Sequence, residues 1–218
     1  MKTTDRPSPN FDTREGHPID MLVLHYTGMK TGAEAIERLC NHDSRVSAHY
    51  IVDEDGSVLR LVGEDRRAWH AGISSWRGET NINQRSIGIE IVNPGHEFGY
   101  RPFPAAQMKM VAMLCRDIIS RQRIPARNVV GHSDIAPTRK EDPGELFDWK
   151  TLAGLKIGLW PKTPAAAIAA DALAIYGYET TDLHKAITAF QRHFRPASLT
   201  GLWDDECAGI LAALLAML

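Results

Sequence analysis

The chain has 218 residues, 44% of them apolar, enough for the packed core of one domain with an attachment or of two small domains, so disordered and fibrous classes are excluded. Its 25 Lys and Arg stand against 27 Asp and Glu, giving a net charge of -2 and a pI near 6.5. No broad positive surplus is available to neutralise phosphates, so nucleic acid is not an expected partner.

Residues 1–19 carry three prolines and alternating charges and read as an extended arm. They hold no apolar segment of roughly 7–15 residues of the signal-peptide kind, and no later run approaches membrane-spanning length. The expectation is a cytoplasmic protein without membrane insertion. Met21-Leu22-Val23-Leu24-His25-Tyr26 is an apolar run too short for a helix and reads as a central strand buried on both faces. Thr31 opens a helix with Glu34 at capping-box spacing, ending near Asn41. Residues 48–52 and 58–62 flank Asp53-Glu54-Asp55-Gly56-Ser57 and predict a hairpin. Residues 63–85 are polar and glycine-rich yet contain Trp69, His70 and Trp76, which marks a long functional loop.

Ser86 to Val92 reads as another strand. Glu90 stands inside it among isoleucines, where a carboxylate needs a partner or a job. Phe103-Pro104 opens the longest helix, to about Gln122. Val129-Val130 then feeds His132 into a loop stiffened by Pro137 and Pro143, which carries Lys140 and Asp142. Two prolines in residues 159–164 suggest a linker, and the period beyond is helical throughout. Three short helices are expected, over 165–176, over 183–194 and from about 204 to 217. His184 and His193 are expected on one helix face, as surface or groove residues. Cys40, Cys115 and Cys207 are odd in number and form no Cys-x-x-Cys pair, which argues against a disulfide framework and suits a reducing compartment.

Two histidines and an aspartate at strand ends or in loops can make a three-ligand zinc site with one open position: His25, His132 and Asp142. Glu90 would then shuttle a proton and Lys140 would stabilise an oxyanion, the parts needed to hydrolyse an amide. Each residue also has a plainer reading. His25 can hydrogen-bond a carbonyl, Asp142 can be a turn residue before proline, Glu90 can pair with Arg85, and Lys140 can be a solvated charge.

The ordered segments Leu22-Val23-Leu24-His25-Tyr26-Thr27, Val46-Ser47-Ala48-His49-Tyr50, Ala68-Trp69-His70-Ala71-Gly72, Asn81-Ile82-Asn83, Ser86-Ile87-Gly88-Ile89-Glu90 and Gly131-His132-Ser133-Asp134-Ile135-Ala136-Pro137 through Asp142-Pro143-Gly144 resemble the zinc-dependent N-acetylmuramoyl-L-alanine amidases of the type 2 family. The resemblance implies an α/β fold, a mixed central sheet flanked by helices, over residues 20–158. It implies one zinc per chain on His25, His132 and Asp142, with Glu90 as acid–base and Lys140 supporting the tetrahedral intermediate. Substrate contacts would come from Tyr26, His49, Trp69, His70 and Asn83. The bond cut would join the lactyl group of N-acetylmuramic acid to L-alanine, in peptidoglycan polymer or anhydromuropeptides, with no obligate protein partner. Residues 165–218 resemble a three-helix peptidoglycan-binding module through Ala186 to Phe194 and Leu199 to Asp204. A chain ending near Pro161 is therefore expected to keep zinc and turn over small substrates. The alternatives are a non-catalytic peptidoglycan-recognition protein and the zinc amidase of a prophage-type lysin.

Overall fold

In the computed structural model, which describes residues 3–161 and 168–218, the chain runs β1 (Thr4–Asp5), β2 (Phe11–Thr13), β3 (Met21–Tyr26), α1 (Gly32–Cys40), β4 (Tyr50–Val52), β5 (Val58–Arg60), β6 (Arg66–Ala68), α2 (Ile82–Arg85) and β7 (Ser86–Ile91). It continues through α3 (Gly95–Phe98), α4 (Ala105–Gln122), β8 (Val129–Gly131), α5 (His132–Ile135), α6 (Trp149–Gly154), α7 (Ala172–Tyr176), α8 (Leu183–Phe194) and α9 (Asp205–Leu215). The first part of the helix expected over 165–176, and the second half of the linker expected over 159–164, lie outside the described residues. Among the described residues no helix is long and apolar enough to cross a membrane.

Six strands form one mixed sheet in the order β1-β5-β4-β7-β3-β8, and β2 pairs with β6 apart from it. The β4–β5 hairpin is antiparallel; β3 runs parallel to both its neighbours. That central place explains the unbroken apolar run. Met21, Leu22, Val23 and Leu24 are fully enclosed, and each such side chain contributes roughly 1.5–3 kcal/mol.

The sheet separates two cores. On one face Leu22, Leu24, Ile87, Ile89 and Ile91 meet Val111, Leu114, Cys115 and Ile118 of α4. On the other, Met21, Val23 and Val130 share a single cluster with Leu173, Tyr176, Phe190, Phe194, Leu211 and Leu214 from α7, α8 and α9. The tail helices thus cover the sheet face that also carries His25, since residues 21, 23 and 25 point the same way.

Local signals set several boundaries. Thr31 caps α1 by accepting from the Glu34 amide at 3.2 Å. Asp182 and Asp204 cap α8 and α9 in the same way. All three cysteines are free. Two segments differ from expectation. The arm is built into the fold: β1 adds to β5, β2 pairs with β6, and the buried Arg14 donates to the carbonyls of Asn83, Gln84 and Ser86. Residues 63–85 are not one loop, because the arm supplies the partner that makes β6 a strand. His132 likewise opens the short helix α5 rather than a loop.

Candidate active site

Parallel pairing of β3 with β7 sets His25 opposite Glu90, and β8 delivers His132 beside them. His25 Nδ1 lies 3.0 Å from His132 Nδ1 and 3.0 Å from Asp142 Oδ2, which is 3.1 Å from His132 Nδ1. All three side chains are buried. Burial and the neighbouring His132 draw the His25 imidazole down to about 4, against the opposing pull of Asp142, so it is neutral near pH 7. Burial works to raise the Asp142 carboxyl, but the two histidines outweigh it and hold it far below the usual carboxylate range.

The outer ring nitrogens show why the inner ones are bare. His132 Nε2 stands 3.0 Å from the Ala71 carbonyl, which can only accept, so that nitrogen carries the proton. Ser86 gives its hydroxyl proton to the Ile82 carbonyl at 2.7 Å. Its oxygen then accepts from His70 Nε2 at 3.2 Å, which leaves His70 Nδ1 to accept from His25 Nε2 at 3.1 Å. Two Nδ1 lone pairs and one carboxylate oxygen therefore converge without a proton to share. That donor set fits a zinc ion, with hydrogen-bonded outer nitrogens of the kind metal-bound imidazoles carry.

Glu90 lines the same cleft, and its Oε2 has no hydrogen-bond partner among the described residues. Burial pushes its carboxyl well above the ordinary range; Asp142 adds to this and Lys140 opposes it. The plainer pairing with Arg85 is not made, because Arg85 pairs with Asp20. Lys140 lines the cleft as well.

The cleft measures about 870 Å³, and Tyr26, Trp69 and His70 line it. Burial and the nearby Asp142 raise the Tyr26 phenol to about 12, so it stays a donor, placed 3.0 Å from His96 Nδ1. His49 and Asn83, expected as substrate contacts, stand elsewhere. His49 is fully enclosed: its Nδ1 accepts from the Gly88 amide at 3.0 Å and Arg14 lies 2.8 Å from its Nε2. Asn83 Oδ1 accepts from the amides of His70 and Ala71, holding the loop that presents His70. A shared motif does not distinguish residues that shape a wall from residues that face the ligand.

The tail enters the site in ways the sequence did not reveal. Lys185, Thr188 and Arg192 of α8 line the cleft. His193 is buried, 2.7 Å from Asp134, and stacks on Trp149 with ring centroids 3.9 Å apart. His184 is exposed. Nine residues at about 100° each bring a helix half a turn round, so the expectation of one shared face for His184 and His193 was an error of angle.

Residues 15–145 match the family model described as N-acetylmuramoyl-L-alanine amidase. The chain belongs to that family. The amidase is similar to the N-acetylmuramoyl-L-alanine amidase AmiD of Escherichia coli K12, 39% identical over 230 aligned residues that cover 90% of this chain and 82% of AmiD. It is also similar to the 1,6-anhydro-N-acetylmuramyl-L-alanine amidase AmpD of Citrobacter freundii, at 40% identity over 68% of this chain and 87% of AmpD. Among solved structures, the complex of E. coli AmiD with the substrate anhydro-N-acetylmuramic acid-L-Ala-D-gamma-Glu-L-Lys superposes with a TM-score of 0.82 at 35% identity, covering 95% of this chain and 98% of that one. The amidase is thus a hydrolase of peptidoglycan breakdown and recycling, from a family that is zinc-dependent in general, and it carries a matching His-His-Asp cluster. The non-catalytic alternative is set aside.

Proposed function

We propose that the amidase cuts the amide between the lactyl group of N-acetylmuramic acid and L-alanine in soluble anhydromuropeptides, using one zinc per chain on His25, His132 and Asp142. The substrates of AmpD and AmiD support the anhydro form, and a stem continuing through a γ-linked glutamate. The observation that carries the reading is the convergence of three deprotonated donors 3.0–3.1 Å apart beside a buried carboxyl with an open oxygen.

Bound zinc supplies Lewis acidity, polarising the scissile carbonyl and acidifying the attacking water. Glu90 takes the water's proton on its unpartnered Oε2 and returns it to the alanine nitrogen as the C–N bond breaks; the water's second proton follows to the amine, giving a carboxylate and an ammonium. Its raised affinity for a proton suits both halves of that transfer. Lys140 places its ammonium where negative charge grows on the carbonyl oxygen. Tyr26, Trp69 and His70 line the path of the substrate. Residues 20–158 carry this chemistry after the arm of residues 1–19, and residues 165–218 contribute affinity for wall material, a division by role.

Metal analysis and one substitution test the reading. Chelation should abolish release of L-alanine-terminated peptide from anhydromuropeptides, and one equivalent of zinc should restore it. Glu90→Gln should retain the zinc and lose about 10²–10⁴-fold in kcat. Activity of the zinc-loaded variant within a few-fold of the parent would remove Glu90 from the proton path.

A further inference from the structure

α8 forms one side of the cleft, and Lys185, Thr188 and Arg192 succeed one another along it at spacings of three and four residues, on one face of the helix. Arg192 is only 7% exposed. Its guanidinium is nonetheless unsatisfied. The nearest carboxylates, Glu145 and Glu141, stand 3.8 and 3.9 Å away, outside hydrogen-bond reach, and Nε has no partner among the described residues. Both carboxylates have a nearer neighbour in His96, at 3.1 and 3.5 Å. They hold the guanidinium by charge and leave its planar donor fork open. A buried cation with free donors is costly unless something arrives to pair with it.

We propose that Arg192, assisted by Lys185 at the exposed rim, forms a carboxylate subsite that the tail helix contributes to the amidase cleft. Its ligand is the free α-carboxylate of the γ-linked glutamate in the stem peptide. This rests on the substrate reading given above. A γ-linkage runs the peptide through the side-chain carboxyl and leaves the α-carboxylate free, one residue past the alanine released by hydrolysis. It is the first anion beyond the scissile bond, and its position does not change with stem length as a terminal carboxylate does. Among the residues that line the cleft, α8 supplies two cations, Lys185 and Arg192, with which an anion can pair. A guanidinium fork matches a carboxylate two bonds at a time, which a lysine cannot do.

The test compares two soluble anhydromuropeptides that differ at one group, the α-carboxylate or its carboxamide. The zinc-loaded parent should prefer the acid by about 10–100-fold in kcat/KM, carried by KM with kcat little changed, as for a charge-assisted hydrogen bond. Arg192→Met keeps the apolar stem; it should lose that preference on the acid and leave the amide nearly as before. Arg192→Lys should fall between them. Thermal melting of the variants separates a lost contact from a lost fold. Calorimetric binding of the same pair to the Glu90→Gln protein reads the subsite without chemistry. Equal treatment of acid and amide by the parent in both assays, or an equal loss on both in Arg192→Met, would overturn the proposal. Preserved acid-over-amide binding with no turnover of either compound would refute the bond assignment and keep the subsite.

Discussion

His70 touches no atom of the donor cluster's inner face, yet it decides how His25 is protonated. The chain from the Ile82 carbonyl through Ser86 and His70 to His25 runs one way, because its first acceptor has no proton to give. Gly88 makes room for it: a Cβ there would fall 2.4 Å from His70 Cγ, so any side chain would push the ring off the strand. Replacing His70 with alanine should leave His25 free to carry its proton on either nitrogen, and zinc affinity should drop about 10–100-fold. Competition against a chromophoric chelator measures this directly; unchanged affinity would mean that packing alone orients His25. That His25, His132, Asp142, Glu90 and Lys140 meet in one cleft was legible in the sequence, because a polar residue at the end of an apolar strand or in a stiff loop is conspicuous. His70 reads in the sequence as one more substrate contact, since nothing in Trp69-His70-Ala71 reveals which ring lies over which glycine.

At the level of elements, the turn after β8 is gripped from the tail. Asp134 accepts from the Gly131 amide, from Tyr178 Oη and from His193 Nδ1, each at 2.7 Å, and it sits two residues after His132. The helices beyond residue 168 also cover Met21, Val23, Val130 and Ile135. A chain ending at Pro161 would expose that apolar face and free Asp134. It is expected to lose its near-ultraviolet circular dichroism and cooperative melting, and to bind zinc weakly, contrary to the separable behaviour expected from the sequence. Retained melting and zinc stoichiometry in the shortened chain would show that the amidase part is self-sufficient. α8 and α9 were legible from their period. Their attachment was not, because Ala172, Leu173 and Phe194 look the same whether they face one another or a sheet more than a hundred residues upstream.

For the whole molecule, the arm and the long helix are drawn together at Glu64. Arg14 donates to its carbonyl, while Arg121, Gln122 and Tyr50 donate to its carboxylate. Burial works to raise that carboxyl, but the hydrogen bonds from Arg121, Tyr50 and Gln122 prevail and hold it down to about 2. A depressed carboxyl stabilises the fold above its unfolded value, near 4.5, and that stabilisation fades as pH falls toward 2. Arg121 is 44% exposed, so solvent screens the pair. Glu64→Gln should then cost about 1–2 kcal/mol in urea unfolding at pH 7, with most of the difference gone by about pH 3. A difference independent of pH would assign the loss to shape rather than charge.

The register of β3 on β7 has a consequence for how such a chain can change over time. His25, the proposed metal ligand, and Glu90, the proposed proton carrier, face each other across one backbone ladder, so their separation follows the interstrand spacing of about 4.8 Å and not the length of what joins them. A helix, a hairpin and the pairing with the arm all lie in residues 27–85. That stretch can gain or lose whole elements while His25 and Glu90 stay opposite each other, provided His70 and Ala71 keep their places beside the histidines. One residue inserted within either strand would turn one of the two groups toward α4 and the opposite core.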